Sequence, residues 1–162
     1  MLRRAEEKDI DRIMELLRQV HRVHSSGRPD LFTPGGIKYK ESEVRDIIND
    51  EDTPVYVSTD ENDVVLAYLF GAYGRVSKDN TCLVEHKSFY IDDLCVDEAV
   101  RGRHIGEGLY NYVLEEVKKY NTDDIYVIGG ESIYNQFMPY VDTAYITYID
   151  YSYQADKYIE NL

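Results

Sequence analysis

The chain has 162 residues, enough for one domain that buries its own core, and its 43% apolar and 30% charged residues argue against wholesale disorder. Its 31 acidic and 18 basic residues give a net charge of −13. This balance argues against a nucleic-acid binder, because phosphate contacts need a basic patch, and it suits cationic small molecules.

The charge and the tyrosines are unevenly spread. Residues 121–162 hold 7 acidic residues, one basic residue (Lys157) and 8 of the 16 tyrosines. A composition shift of this kind predicts a boundary near residue 120 within the chain.

Cysteine and hydropathy patterns bear on the compartment. Cys82 and Cys95 form neither a disulfide framework nor a metal-binding spacing, and the four histidines are scattered. The first ten residues lack an apolar signal core, and no stretch approaches the ~20 apolar residues of a membrane span. We therefore expect a soluble, cytoplasmic protein with two reduced, buried thiols, no metal, and no membrane or nucleic-acid partner.

In the first half of the chain, Asp9 is predicted to cap a helix from Ile10 to about His24, with His24 on its apolar face. The elements predicted next are a loop (25–36), a short acidic helix (40–51), a hairpin of two strands (54–60 and 64–76) and a long third strand (83–97).

In the second half, the predicted elements are a helix (106–120), a buried strand (125–130), a short helix (132–141) and a last strand (143–153). Three strands followed by helix, strand, helix and strand indicate an α/β or α+β domain with a mixed sheet.

The segment RGRHIGEG (101–108) lies between a strand and an amphipathic helix. This arrangement directs backbone N–H groups and the positive helix end toward one spot, as a pyrophosphate requires. It is neither a Walker A loop, since the Gly-Lys-Ser/Thr ending is missing, nor a dinucleotide fingerprint, since His104 interrupts the glycines. Spacing alone leaves a phosphate site and a plain strand–loop–helix turn both open.

The segment VDEAVRGRHIGEGLY (96–110) resembles the acyl-CoA-binding signature of the GNAT acyltransferase superfamily, Arg/Gln-x-x-Gly-x-Gly/Ala. Arg101 and Gly106 match its outer positions, and His104 stands where a middle glycine is usual. The segments RRAEEKDIDRIMELL, GRPDLF and YIDDLCVD also follow the family in order. This resemblance covers about residues 1–120 and implies a GNAT-like fold, a mixed and mostly antiparallel sheet flanked by helices.

The resemblance also implies a donor and its site. Acetyl-CoA would place its pyrophosphate on the N–H groups of residues 103–108 and its pantetheine arm along a strand, like an added strand. The implied cofactor-binding residues are Leu94, Cys95, Val96, Arg101, Gly102, Arg103, His104, Ile105, Gly106, Glu107 and Gly108.

The implied reaction is acetyl transfer to a primary amine, for which a general base takes a proton from the ammonium. Asp92 or Asp93 is the first candidate, with Glu85 behind them. Ordinary alternation would put the adjacent aspartates on opposite faces of the strand, but a bulge could redirect one. The alternative for each is an ordinary strand-edge carboxylate, since family members often lack a dedicated base.

Residues 121–162 resemble the C-terminal part of bacterial dihydrofolate reductase, through IYVIGGESIY, MPYVDTAYITYID and QADKYIENL. In a reductase, Gly129 and Gly130 would lie against the NADPH phosphates. The folate-binding segments of a reductase are absent from the sequence, which argues against reductase activity. The chain is therefore interpreted as a chimera, a single domain whose acetyltransferase-like body (1–120) continues into a reductase-like segment (121–162).

The join has structural consequences. The strand IYVIGG is predicted to take the fifth sheet position beside residues 94–96, with a right-handed crossover returning residues 143–153 to the same sheet. The final strand of either parent is missing, which would expose apolar edges and predicts a homodimer through residues 143–162. The GNAT family's tyrosine that protonates the departing CoA thiolate is also replaced. Tyr134 and Tyr140 are the candidates for this role.

Three functions follow from these resemblances. The first is an N-acetyltransferase that uses acetyl-CoA and acts on an amine of a small molecule or peptide. The second is a catalytically impaired chimera that folds and at most binds CoA. The third, an NADPH-dependent reductase, lacks its folate-binding segments.

Overall fold

The computed structural model of the protein describes residues 1–128 and 130–150. Its strands are β1 (Leu2–Arg4), β2 (Val55–Thr59), β3 (Val65–Val76), β4 (His86–Val96) and β5 (Asp124–Val127). Its helices are α1 (Ile10–Gly27), α2 (Glu41–Asn49), α3 (Ile105–Lys118) and α4 (Glu131–Phe137).

The strands form one sheet in the order β1-β2-β3-β4-β5. The first three pairs are antiparallel, and β5 runs parallel to β4. The parallel pair needs a crossover connection, which α3 supplies between the two strands. The predicted fold class, a mixed and mostly antiparallel sheet flanked by helices, is confirmed.

Alternation along β3 and β4 divides the core into two layers. Tyr68 and Cys95 face α1 and α2 on one side of the sheet, and Leu69 and Phe89 face α3 on the other. Among the described residues, fourteen buried side chains form the first layer and ten form the second. Helices therefore cover both faces of the sheet.

The start of α1 differs from the prediction. Asp9 makes no capping bond to α1. Its carboxylate instead accepts hydrogen bonds from Arg3 (Nη1, 2.6 Å; Nη2, 2.9 Å) and from the backbone N–H of Glu6 at 2.8 Å. The ion pair with a half-buried guanidinium takes the lone pairs that a helix cap would use.

The end of α1 also differs, because the helix continues to Gly27 and includes Ser25 and Ser26, which were predicted to be loop. His24 is exposed and stacks on Phe32 with the ring centroids 5.1 Å apart. The prediction of a core histidine was wrong because the last turn of α1 packs against this loop residue and not against the sheet.

The third strand begins at His86, and residues 83–85 lie outside it. Cys82 is exposed and Cys95 is buried, so the prediction of two buried thiols holds for Cys95 alone. The strand β5 takes the predicted fifth position, but it pairs with residues 88–91 of β4 and not with residues 94–96.

The predicted last strand is absent over residues 143–150, which have no regular secondary structure. Tyr145 and Tyr148 are 84% and 86% exposed. High β propensity does not form a strand when no neighbouring strand supplies backbone partners and no layer covers the side chains. The rest of that predicted strand, residues 151–153, lies outside the described residues, as does Gly129.

Within 1–128 and 130–150, no helix is long and apolar enough to cross a membrane. The same residues contain no group of three or more His, Cys, Asp or Glu side chains arranged to hold a metal ion.

Candidate active site

The strands β4 and β5 separate in the middle of β4. They pair from Ser88 to Ile91, and the last bond runs from the N–H of Ile128 to the carbonyl oxygen of Ile91 at 3.3 Å. Beyond Ile91, within the described residues, β4 pairs with β3 alone. The C-terminal half of β4 therefore presents an open backbone edge.

Backbone alternation determines which groups face this edge. The N–H of Asp97 donates to the carbonyl oxygen of Leu66 at the start of β3 (2.9 Å), so the N–H and C=O groups of odd-numbered residues here face β3. The N–H and C=O groups of Leu94 and Val96 then face the open side. The carbonyl oxygen of Val96 accepts a hydrogen bond from Nε of Arg101 at 3.1 Å.

The end of β4 is held by a polar cluster. Asp97 pairs with Arg12 of α1, accepts from Gln19 at 3.2 Å and accepts from the N–H of Ala99 at 3.1 Å. Burial raises the pKa of this carboxyl, but the hydrogen bonds and the Arg12 charge outweigh burial and leave the pKa lowered. This anchored carboxylate fixes the direction in which the chain enters the loop 101–104.

Two residues of this loop have left-handed backbone angles, Gly102 (φ 77°) and His104 (φ 57°). His104 occupies the position where the GNAT signature has glycine, and a side chain with this backbone costs about 1 kcal/mol. The left-handed angle explains why the signature favours glycine there.

The first turn of α3 supplies free N–H groups. Ile105, Gly106 and Glu107 lie in this turn, whose N–H groups have no partner within a helix, and His104 gives no side-chain cap. A Cβ atom on Gly106 would lie 3.1 Å from Cγ2 of Val96, so glycine allows the helix to begin directly against β4. This arrangement fits an anionic group beside the open edge of β4.

Glu107 is engaged at the same helix end. Nδ1 of His104 lies 2.8 Å from one carboxylate oxygen, and the hydroxyl of Tyr140 donates to the other at 3.1 Å. Both contacts lower the pKa of Glu107, and the contact with His104 has the larger effect. The Glu107 carboxylate in turn raises the pKa of the Tyr140 hydroxyl. Tyr140 therefore lies beside the loop 101–108, while Tyr134 lies half-exposed on α4.

The aspartate pair sits at a β-bulge. Phe70 of β3 is opposite Asp93 and Gly71 is opposite Ile91, which leaves Asp92 as the extra residue. Ile91 packs on the α3 side and Cys95 on the α1 side, so the bulge reverses the alternation between them. Asp92 and Asp93 consequently lie on the same face of the sheet.

A lysine from a distant segment joins the two carboxylates. Nζ of Lys38 lies 2.8 Å from Oδ2 of Asp92 and 3.5 Å from Oδ2 of Asp93. The hydroxyl of Tyr39 donates to Asp92 at 3.0 Å, and the hydroxyl of Tyr68 is 3.4 Å from Asp93.

Burial and charge shift the pKa values in this cluster. Burial raises the pKa of Asp93, and the Lys38 ammonium only partly opposes that shift. Burial lowers the pKa of Lys38, but the hydrogen bond to Asp92 and the charges of both aspartates outweigh it and leave the pKa raised. A carboxylate with a raised pKa is a better proton acceptor than an ordinary aspartate.

A cleft of about 250 Å³ lies beside Asp92. Its walls include Tyr39, Phe70, Tyr90, Asp92 and Ile128. Ile128 and Asp92 follow the last paired residues of β5 and β4, so the cleft reaches the point where these strands separate. An apolar cleft with a carboxylate at one side suits an organic cation.

Not all predicted residues meet here. Glu85 is seven residues before Asp92 and lies roughly 20 Å away along the strand direction, and it is exposed. Burial raises the pKa of the Cys95 thiol to about 11, so this sulfur stays protonated at neutral pH. Sequence reasoning missed Lys38 and Tyr39, because nothing in their spacing relates them to a strand 54 residues further on.

Comparison with known proteins confirms the second resemblance. The family model for dihydrofolate reductase matches residues 99–162, starting about twenty residues before the predicted join. A dihydrofolate reductase from Staphylococcus haemolyticus is 37% identical over 38 residues, which is 24% of this chain and 23% of that protein. The chain thus matches about a quarter of the length of this curated relative.

Solved structures share the fold over most of the chain. The BH1408 protein of Bacillus halodurans, in a mutant form, has a TM-score of 0.77 at 23% identity, covering 92% of this chain and 98% of that one. An acetyltransferase from Vibrio fischeri has a TM-score of 0.65 at 24% identity, covering 78% and 93%. An aminoglycoside acetyltransferase from an uncultured soil sample, in complex with sisomicin, has a TM-score of 0.65 at 16% identity, covering 96% of both chains. The chain has the acetyltransferase fold and a reductase-like C-terminal sequence.

Proposed function

We propose that the protein is an N-acetyltransferase that transfers an acetyl group from acetyl-CoA to a primary amine. The observation that carries this proposal is the open edge of β4 at Leu94 and Val96. That edge has the uncapped start of α3 at one end and the carboxylates of Asp92 and Asp93 at the other. An extended donor and a protonated acceptor can meet at one point in this arrangement.

The chain's own residues fit the donor. The N–H groups of the first turn of α3 and the side chains of Arg101 and Arg103 hold a pyrophosphate, and the backbone of residues 94–96 binds an extended amide chain as an added strand. When bound, acetyl-CoA supplies a thioester whose acyl carbon is open to attack by an amine.

In the proposed reaction, the Asp92 and Asp93 pair orients the ammonium of the acceptor, and Asp93 takes its proton. Tyr140 and Tyr134 remain the candidates for protonating the departing thiolate. Tyr140 is held by Glu107, whose carboxylate raises the pKa of its hydroxyl and makes it a weaker acid. Tyr134, exposed on α4, is the other candidate for the proton donor in this proposal.

We propose a cationic amine as the acceptor. The net charge of −13 attracts cations, and the cleft offers Asp92 beside the aromatic walls of Tyr39 and Tyr90. Aminoglycosides carry several ammonium groups, and a protein of the same fold is an aminoglycoside acetyltransferase. An aminoglycoside is therefore a sensible first acceptor to test, beside simple alkylamines and peptides.

A second candidate function is CoA binding with little turnover. The ion pair of Lys38 with both aspartates favours it, because this pair occupies the carboxylates that an acceptor needs. Release of free thiol in the presence of an amine panel separates the two candidates. NADPH-dependent reduction receives no support from the site, although the C-terminal sequence matches a reductase.

Thermal unfolding with acetyl-CoA, with NADPH and without ligand tests the donor. Acetyl-CoA at a hundredfold excess over its Kd is expected to stabilise the protein by about 2.7 kcal/mol, and NADPH is expected to have no effect. In Gly106→Val the added side chain fills the space between α3 and Val96, so the stabilisation by acetyl-CoA should be lost. Gly27→Val is the matched control, since a Cβ there meets nothing within 4 Å.

If Gly106→Val does not fold, Arg103→Glu serves in its place and should weaken acetyl-CoA binding about tenfold. Lys118→Glu adds the same charge at the far end of α3 and should leave binding unchanged. Unaltered acetyl-CoA affinity in both Gly106→Val and Arg103→Glu would refute the site.

We also propose that the chain forms a homodimer through its C-terminal segment. Tyr145, Ile146, Tyr148 and Ile149 are each at least 58% exposed, and β5 is an edge strand of the sheet. Pairing of this segment with a second copy would bury these side chains. Light scattering is expected to give a dimer mass at micromolar concentration, and a monomer across that range would contradict the proposal.

A further inference from the structure

Lys38 stands where the proposed acceptor would place its ammonium. Its Nζ is 2.8 Å from Asp92 and 3.5 Å from Asp93, the two carboxylates at the bulge. Within residues 1–128 and 130–150, Lys38 is the lysine that pairs with these two aspartates. Other lysines form ion pairs with different acidic residues, namely Lys8, Lys118 and Lys119.

The position of Lys38 is fixed by its neighbours in sequence. Ile37 and Tyr39 pack against the core layer that faces α1 and α2. The ring of Tyr39 stacks on Phe70 with the centroids 5.5 Å apart, and its hydroxyl donates to Asp92. The backbone on both sides of Lys38 is therefore anchored, and its side chain is directed to the bulge.

The open part of β4 begins at the same place. The bulge at Asp92 immediately precedes Leu94 and Val96, whose backbone groups face the open edge. A donor that binds with its phosphates at Gly106 and extends along β4 must run from Val96 toward Asp92, because Gly106 packs against Val96. Its acyl end then arrives beside the carboxylates that hold Lys38.

Resting on the proposed function, we infer that the protein acetylates its own Lys38. Nζ of Lys38 attacks the acyl carbon of the thioester, so that an N–C bond forms and the C–S bond breaks. The ammonium proton passes to the carboxylate of Asp93 and then to water. The CoA thiolate leaves and takes up a proton, giving acetyl-Lys38 and free CoA.

Burial lowers the pKa of Lys38, but the two aspartates outweigh it and leave the pKa raised, so the step depends on transfer of the ammonium proton to a neighbouring carboxylate. An ammonium must lose its proton before it can act as a nucleophile, and a neighbouring carboxylate with a raised pKa accepts that proton. Acetylation converts the ammonium to a neutral amide and ends the ion pair with Asp92 and Asp93. The reaction thereby frees both carboxylates for an external amine.

The test incubates the full chain with acetyl-CoA and no added amine at neutral pH, followed by digestion and mass spectrometry. Lys38 should gain one acetyl group about tenfold faster than Lys40, an exposed lysine on the same segment that reports non-catalysed acetylation. The first-order rate should not change when the protein is diluted. Lys38→Arg keeps the positive charge and should abolish the modification, whereas Lys40→Arg should leave it unchanged.

Asp92→Asn removes the closest carboxylate from an exposed position and should slow acetylation of Lys38. Equal rates at Lys38 and Lys40, or a rate proportional to protein concentration, would overturn the inference. Acetyl-CoA binding and amine acetylation by a protein whose Lys38 stays unmodified would overturn this inference alone. Absence of any stabilisation by acetyl-CoA would overturn the proposed function as well.

Discussion

Replacing Gly71 by alanine is expected to destabilise the fold by about 3 kcal/mol, the upper part of the range for overpacked cores. A Cβ at this position would overlap Cζ of Phe89 and lie 2.7 Å from its Cε2. Phe89 is fully buried, so its ring has no space into which to move. The ring must leave its rotamer or the strands must shift.

The position matters for the site as well as for stability. Gly71 pairs with Ile91, directly beside the bulge that sets the directions of Asp92 and Asp93. A shift of β3 against β4 would displace both carboxylates. We therefore expect Gly71→Ala to lower the melting temperature by roughly 10 °C and to reduce acetyl transfer even where the protein remains folded.

Thermal and urea unfolding measure this effect. Gly27→Ala is the control, since a Cβ there meets no atom and alanine in a helix gains up to about 1 kcal/mol over glycine. In the double variant Gly71→Ala/Phe89→Leu, the smaller leucine replaces the ring and should recover part of the lost stability. Such non-additivity is typical of residues in contact. A Gly71→Ala protein as stable as the native chain would show that the ring does not fill this space.

Replacing Asp93 by asparagine is expected to lower kcat/KM for amine acetylation about 100-fold, the lower end of the range for a positioned general base. The amide keeps the shape of the carboxyl group but accepts no proton. Asp46→Asn, on an exposed face of α2, makes the same change of charge and should leave kcat/KM unchanged.

The pH dependence separates a base from a merely structural residue. Burial raises the pKa of Asp93, so the native rate should fall as pH drops through that raised pKa. In Asp93→Asn this acidic limb of the kcat/KM profile should disappear. A profile whose acidic limb is unchanged in the variant would remove Asp93 from the role of base.

Stability should move in the opposite direction from activity. An aspartate with a raised folded pKa stabilises the fold while protonated, and this contribution is lost as pH rises from its ordinary pKa through the raised one. At neutral pH the buried charge therefore costs stability, and Asp93→Asn should be at least as stable as the native protein. Unfolding at pH 7 measures this, and a large loss of stability would indicate a structural role for the carboxylate.

Local patterns predicted most of the elements correctly. Helical periodicity predicted α1 from Ile10, and two short strands close in sequence predicted the β2–β3 hairpin, where Asp63 adopts φ 62°. These features depend on neighbours a few residues apart, so the sequence contains their determinants. The ends were less accurate, as the extension of α1 through Ser25 and Ser26 shows, because tertiary contacts decide where a helix stops.

The C-terminal segment shows the limit of such patterns. Residues 143–150 have strong strand propensity and lie within the match to the dihydrofolate reductase model, yet no strand forms there. Over the described residues this segment has no neighbouring strand to pair with. Propensity describes how well a segment fits a sheet, while the presence of a pairing edge depends on the rest of the chain.

The sequence by itself determined the order of the elements from α1 to α4, the glycine-containing loop before α3, the aspartate pair on a strand and the two resemblances that meet within one chain. Each of these is a local property or a match of consecutive residues. Only the tertiary structure decided that a bulge opposite Gly71 brings Asp92 and Asp93 to one face, that Lys38 lies against both, and that β5 leaves Leu94 and Val96 open. Register and long-range contacts arise from packing between distant segments, and no periodicity within a segment encodes them.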